Sequence, residues 1–385
     1  MENIPVIQAE VCREILMDLL RIDSSQPGGN EKNMVDAIIA MFPEGTQFTR
    51  IVHTPQRHSL ILTIPGACPE NAVAFVGHID TVPCGDLNKW ESHPLQPTED
   101  QGKIRGRGSA DMKGGVAAMI AAAKAILASG ITMQHTVLFC FTADEENGGL
   151  GAKALLQREE FACVREIWIT EPTNGEIGVC EKGALWLKFT AQGKSAHASR
   201  PELGKNALDM LVRIYQELCP KYHHTAHHPL LGDNTLSLTR LQGGVSTNII
   251  PDHGEMELDI RTLPVQDHQT MLEEIRAVIA RCQEDDPQFS VTFEVTNNRP
   301  AIEQDERDPL IGNIKAICEE MHRSTNTRGI HFYTDGSQLV PFYKKPFVIL
   351  GPGNDAMAHQ INECVEVKEV LALAQLYTKY LCAFN

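Results

Sequence analysis

Apolar positions in this chain come in short unbroken runs, separated by Gly, Pro and polar stretches. SLILTIPG, AVAFVG, TVLFCFTA, EIWIT and PFVILG are continuous rather than alternating. Runs of this length between breakers read as strands buried on both faces. Helical periodicity fills the gaps. MENIPVIQAEVCREILMDLL is amphipathic, and MKGGVAAMIAAAKAILASG is rich in Gly and Ala, which predicts close packing against a sheet or neighbour. Further helices are expected around GLGAKALLQ, DPLIGNIKAICEEM and KEVLALAQLYTKYL. Strands alternating with helices predict an α/β domain.

From about 181 to 296 the order changes. The strand ALWLKFTAQG leads to the helix NALDMLVRIYQEL, then to the strands TLSLTRLQG and GEMELDIRTL. The helix HQTMLEEIRAVIARCQ and the strand QFSVTFEV follow. That order, β-α-β-β-α-β, is ferredoxin-like. The α/β pattern returns from 297, so residues 1–180 and 297–385 are expected to form one domain with 181–296 inserted into it. KYHHTAHHPL gathers His223, His224, His227 and His228. It reads as a solvated loop, because no carboxylate or cysteine partner is near in sequence.

Composition narrows the function. At 385 residues the chain exceeds one usual domain, and its 42% hydrophobic content supports real cores. A net charge of −16 argues against nucleic acid and against anionic membrane surfaces as partners. No apolar run reaches the ~18 residues of a membrane span. The acidic first helix does not read as a signal peptide. Eleven cysteines, an odd number with no CxxC, do not form a disulfide framework and fit a reducing cytoplasm.

Metal-type ligands follow the apolar runs. His78 comes after AVAFVG, Asp111 lies in GRGSADMKGG, and Glu145 and Glu146 follow TVLFCFTAD. Glu171 follows EIWIT, and His359 comes after FVILGPGNDAMA. In parallel α/β sheets, ligands collect beyond the carboxyl ends of strands. Two imidazoles with several carboxylates suit zinc, and also cobalt or manganese. The set is large enough for two ions sharing one carboxylate, with a further carboxylate left to act as a base.

The strings GHIDTVP, GRGSADMKGG, TADEENGG, ITEPT, GKSAHASRPELGKNA and AHQINE, in this order, resemble the signature blocks of a known family. It is the dinuclear zinc deacylase and metallopeptidase family that includes acetylornithine deacetylase, succinyl-diaminopimelate desuccinylase, aminoacylase and a glutamate-releasing carboxypeptidase. The resemblance implies a zinc-peptidase-like α/β catalytic domain with a ferredoxin-like lid and dimerisation domain. It implies that His78 and Glu171 hold one ion, that Glu146 and His359 hold the other, and that Asp111 bridges them. Glu145 resembles the general base. Asp80 resembles the carboxylate that orients His78. His197 resembles a lid histidine that reaches the substrate carbonyl from the partner subunit. Asn248 and Arg261 resemble lid residues that hold the substrate's carboxylate, although Arg261 is also placed to pair with a nearby acid. Thr334, in HFYTDGSQL, is a further candidate for substrate binding. The resemblance also implies a cis peptide between Asp111 and Met112.

These implications converge on two divalent ions, zinc with cobalt or manganese as alternatives. The expected protein is a cytoplasmic homodimer that hydrolyses the amide bond of N-acyl-L-amino acids. A dipeptidase or carboxypeptidase on the same machinery is the alternative, and Glu171 favours the deacylases because the peptidase members resemble Asp there. A metal-free binding relative would have lost ligands or the base, and this chain keeps all six. His93 stands where relatives often carry Asp, and Tyr333 where many have a small residue.

Overall fold

The computed structural model of the chain describes residues 4–384 and resolves two compact units. The first runs to Val179 and takes in Gln304–Arg328 and the chain from Thr334 onward. The second comprises Cys180–Glu303 and Gly329–Tyr333. Cys180, residues 297–303 and Gly329–Tyr333 thus fold with the second unit, although the sequence reading placed them with the first.

The first unit is built on a mixed sheet. Its strand order is Gln47–Val52, His58–Ile64, Met133–Thr142, Gly66–His78, Val164–Pro172, Phe347–Gly351 and Ile177–Glu181. The four central strands, from Met133–Thr142 to Phe347–Gly351, are mutually parallel. They are the runs that read as continuously apolar, because helices cover both faces of a parallel sheet. Phe75, Phe139, Trp168 and Tyr377 stack at its centre, with ring centroids 5.1–5.3 Å from Phe75. The helices Ala9–Leu20, Lys113–Ser129 and Val367–Phe384 pack together, while Glu31–Ala40 packs against His58–Ile64. The Gly- and Ala-rich stretch lets Lys113–Ser129 lie directly on the sheet. A Cβ at Gly115 would collide with the carbonyl oxygen of Thr170.

The second unit has a four-stranded antiparallel sheet, ordered Thr235–Gly243, His253–Thr262, Gly183–Gln192 and Val291–Arg299. The helices Ala207–Tyr222 and His268–Asp285 cover one face, burying Leu185, Leu187, Phe189, Leu258 and Ile260 against Met210, Ile214 and Ile275. Side-chain caps start both helices. Asn206 accepts from Leu208 N, and Asp267 accepts from Thr270 N. This is the ferredoxin-like order expected from the sequence. Thr235–Gly243 is the outermost strand, and its residues from Ser237 to Gly243 are exposed.

The histidine-rich segment is more ordered than a free loop. His227–His228 pairs with Gly232–Asp233, and the Asp233 carboxylate bonds Nδ1 of both His224 (2.9 Å) and His227 (2.7 Å). None of the cysteines forms a disulfide among the described residues. Among the described residues, no helix is long and apolar enough to cross a membrane.

Candidate metal centre

The parallel strands end where the candidate ligands begin. His78 is the last residue of Gly66–His78, and Glu171 is the penultimate residue of Val164–Pro172. Glu145 and Glu146 lie in the turn after Met133–Thr142, which Asp144 enters with φ 68°. Asp111 precedes the helix Lys113–Ser129, and its peptide bond to Met112 is cis. His359 follows the strand Phe347–Gly351 after a short 3₁₀ turn and has φ 63°. All six belong to the first unit.

Asp111 stands between the two histidines. Its Oδ1 lies 3.0 Å from His78 Nε2, and its Oδ2 lies 3.3 Å from His359 Nε2. Glu171 Oε1 is 3.5 Å from the same Nε2 of His78. Glu146 Oε2 is 3.0 Å from the same Nε2 of His359. The result is two donor sets sharing one carboxylate. Donor atoms of His78, Asp111 and Glu146 also come within 4.8 Å of one another.

The electrostatics explain why such a cluster suits cations. Burial alone would depress His78, but Glu171 and Asp111 hold it well above its ordinary value. Burial pushes Glu171 well above the usual carboxylate range and raises Glu146 as well. It would also raise Asp111, but His359 and His78 pull that carboxyl below the usual range. Hydrogen bonds to Asp111 and Glu146 push His359 up to about 10. Without ions, protons on the imidazoles neutralise the carboxylates, and divalent cations displace such protons when they bind. Two carboxylate oxygens, Glu146 Oε1 and Glu171 Oε2, are buried yet accept no hydrogen bond from the protein. A buried acceptor left in that state is costly unless a cation meets it. The donor set therefore fits two divalent ions. His359 is half-exposed, which leaves a route in from solvent.

The orientation of His78 differs in detail from expectation. Its Nδ1 donates to the main-chain oxygen of Asp80 at 3.0 Å, and the Asp80 carboxylate lies 3.7 Å away. That bond still fixes the tautomer and leaves Nε2 able to serve as a ligand atom. The carboxylate of Asp80 holds the base turn instead. Its Oδ1 accepts from Glu145 N (3.1 Å), and its Oδ2 accepts from Glu146 N (3.2 Å) and from Gln26 Nε2 (2.9 Å). Arg57 braces this layer by bonding Gln26 and Asp144.

One supporting residue escaped the sequence reading. Glu363 is fully buried, and both of its oxygens are used. Oε1 accepts from Ala110 N (2.8 Å) and Asp111 N (3.0 Å). Oε2 accepts from Gly108 N (3.0 Å) and from Arg107 Nη1 (2.7 Å). Arg107 Nη1 also donates to Gln360 O at 3.2 Å. Glu363 thus moulds the turn that presents Asp111 and ties it to the segment carrying His359. The only sequence signal was its place at the end of AHQINE. Glu363→Gln should weaken metal binding by roughly 10–100-fold, the usual effect of losing a residue that orients a ligand. Competition against a chelating dye measures this, and unchanged affinity would show that the turn holds its shape without the carboxylate.

The remaining candidates lie elsewhere. His197 and Asn248 are exposed residues of the second unit, in segments joined by the bridge His197↔Ile249 and by Ala198 N donating to Asn248 O. His197 Nδ1 accepts from Ser199 N at 3.1 Å. Arg261, also in the second unit, donates from Nε and Nη2 to Asp259, the local pairing the sequence left open. Thr334 is buried in the first unit, where its Oγ1 accepts from Gly336 N at the start of the helix Gly336–Tyr343.

A parallel sheet delivering two donor sets around a shared carboxylate, with an inserted ferredoxin-like unit, defines a metal-dependent hydrolase. Residues 74–383 match the sequence profile of peptidase family M20/M25/M40, and the chain belongs to that family. Among curated proteins it is similar to the probable succinyl-diaminopimelate desuccinylase of Staphylococcus aureus (strain N315), with 27% identity over 97% of this chain and 95% of that protein. Among solved structures it resembles aminopeptidase PepT from Bacillus cereus, at TM-score 0.78 and 22% identity over 97% of this chain and 98% of that one. It also resembles a dinuclear metal-binding peptidase of the M20 family from Bacillus subtilis, at TM-score 0.73 and 18% identity over 97% of both chains. At such identities the two structures speak for the fold alone.

Proposed function

We propose that this chain hydrolyses the amide bond of N-acyl-L-amino acids that carry a free α-carboxylate, of the acetylornithine or succinyl-diaminopimelate kind. The observation that carries this reading is the placement of Asp111, one oxygen toward each imidazole. His78 and Glu171 would hold one ion, Glu146 and His359 the other, and Asp111 both. Zinc suits this donor set, with cobalt and manganese as alternatives. Bound there, two divalent ions would lower the pKa of a shared water and polarise the scissile carbonyl.

The chain's own groups supply the rest. Glu145 takes a proton from the attacking water and returns it to the leaving amine. His197 donates to the carbonyl oxygen as negative charge builds on it. Asn248 and Arg261 hold the α-carboxylate, which fixes the orientation of the amide. Glu171 favours deacylation over peptide cleavage, and the similarity to a desuccinylase points the same way.

A homodimer formed through the second unit is part of this reading. It is supported by the exposed edge strand Thr235–Gly243, which carries Leu238 and Leu241 at its surface. An unpaired edge of that length is a template for a second copy. The cytoplasm is the compartment we infer, from eleven cysteines and no disulfide among the described residues.

The test is a panel of N-acetylornithine, N-succinyl-diaminopimelate, other N-acyl amino acids and dipeptides, each assayed with zinc, cobalt and manganese. The acyl amino acids should turn over best. Efficient dipeptide cleavage with poor deacylation would replace this reading with a dipeptidase.

A further inference from the structure

The sheet of the second unit has a face its helices do not cover. Leu185 and Ile260 point into the helical core, so alternation puts Ala184, Trp186, Asp259 and Arg261 on the opposite face. Asn298 turns toward the helices, where its Oδ1 bonds His268 Nδ1 at 2.6 Å. Arg299 therefore joins the uncovered face. Register aligns Arg261, Ala184 and Arg299 in one row across three strands. Between the two arginines Ala184 contributes only a methyl group. The ring of Tyr333, from the same unit, lies 5.3 Å from Arg299 Cζ, 6.0 Å from Arg261 Cζ and 6.2 Å from the Trp186 ring.

The two arginines differ in what neutralises them. Arg261 is paired with Asp259 at 3.0 Å. Arg299 is 2% exposed, and its Nη1 donates to no protein group. Among the described residues no carboxylate forms an ion pair with it. Beside it, Trp186 Nε1 is also buried without an acceptor. The Tyr333 ring engages the flat face of a guanidinium and leaves Nη1, in the guanidinium plane, without an acceptor. A buried cation in that state is strongly unfavourable, and an anion relieves it. Guanidinium donors match a carboxylate bidentately, with the indole N–H able to add a third bond.

We propose that Arg299, with Trp186 Nε1, forms a carboxylate-binding subsite on this face, and that the carboxylate belongs to the substrate. The inference rests on the amidohydrolase reading and sharpens it. With the α-carboxylate assigned to Asn248 and Arg261, Arg299 recognises a second one, at the end of the acyl group or of the amino-acid side chain. The preferred substrate is then dianionic.

Three measurements on Arg299→Met and wild type test this. First, an N-succinyl amino acid is compared with its N-acetyl counterpart, and an N-acyl glutamate with the N-acyl glutamine. The variant should lose on the order of 10–100-fold in kcat/KM on the dianions, the size of a charge-assisted pair, and little on the monoanions. Equal losses on both would overturn the proposal. Second, succinate should bind to wild type and succinamide should not, read by titration calorimetry, and succinate binding should vanish in the variant. Succinate should also compete with the substrate. Non-competitive inhibition would mean that the subsite serves a free anion, which overturns its assignment to the substrate. Third, removing an unpaired buried charge should keep or raise the Tm of the ligand-free protein. A large fall in Tm would show that Arg299 is a structural residue. If wild type turned over no N-acyl amino acid with any of the three metals, the calorimetry would still decide. Succinate binding lost in the variant would uphold the carboxylate subsite and place the failure in the amidohydrolase reading.

Discussion

Glu145→Gln should leave both ions bound and lower kcat by about 10²–10⁴-fold, the usual contribution of a positioned general base. The geometry separates this residue from its neighbour. Glu146 Oε2 faces His359 at 3.0 Å, so Glu146 belongs to a donor set. Glu145 is buried in the same turn, with its backbone N–H held by Asp80. A base must be fixed near the ligands without being consumed as one. The Gln side chain keeps the shape of Glu145 and removes its capacity to take a proton. Glu146→Gln should instead weaken the ion shared with His359. Metal content by mass spectrometry, measured beside kcat for both variants, distinguishes the roles. Metal lost from the Glu145 variant and kept in the Glu146 variant would reverse them.

Most of the first unit was legible because a parallel sheet covered on both faces must be apolar throughout. Phe75, Phe139 and Trp168 lie in strands with no polar alternation, and each strand hands the chain to a candidate ligand at its carboxyl end. Helices and strands of the second unit were legible from the switch in periodicity. The strand Gln47–Val52 was not, because an edge strand that is mostly exposed lacks a strong apolar signal. Nor was the return of Gly329–Tyr333 to the second unit, which no local pattern announces.

At the site, residue types singled out the candidate ligands but not their supports. Glu363 works through three backbone amides and one guanidinium, and backbone amides leave no trace in sequence. The Asp80 carboxylate was expected behind His78 but receives the amides of Glu145 and Glu146, because the main-chain oxygen of Asp80 already satisfies the imidazole. Arg261 and Arg299 look alike in the sequence. Only the cross-strand register and the position of Asp259 show that Arg261 is ion-paired, whereas Arg299 Nη1 is buried without a hydrogen-bond partner among the described residues.

Mixing two inactive homodimers should restore activity. His197 lies in the second unit, and the candidate ligands and Glu145 lie in the first. If His197 serves the partner's site, each centre is assembled from Glu145 of one subunit and His197 of the other. His197→Ala and Glu145→Gln homodimers then each contain two defective centres. In a heterodimer, both defects fall on one centre. The other centre combines the intact Glu145 of the His197→Ala subunit with the intact His197 of the Glu145→Gln subunit. At equal input and full exchange, half of the dimers are heterodimers with one working site in two. About a quarter of wild-type activity should return, as two-fold symmetry requires. Native mass spectrometry of the mixture confirms exchange, and turnover of the best substrate in the panel gives the activity. Should exchange be complete and activity stay at the level of the parents, His197 acts within its own subunit or outside the reaction. His197→Ala alone then separates those two cases, because a residue outside the reaction leaves kcat unchanged, whereas a donor to the developing oxyanion costs about 10²–10³-fold when removed.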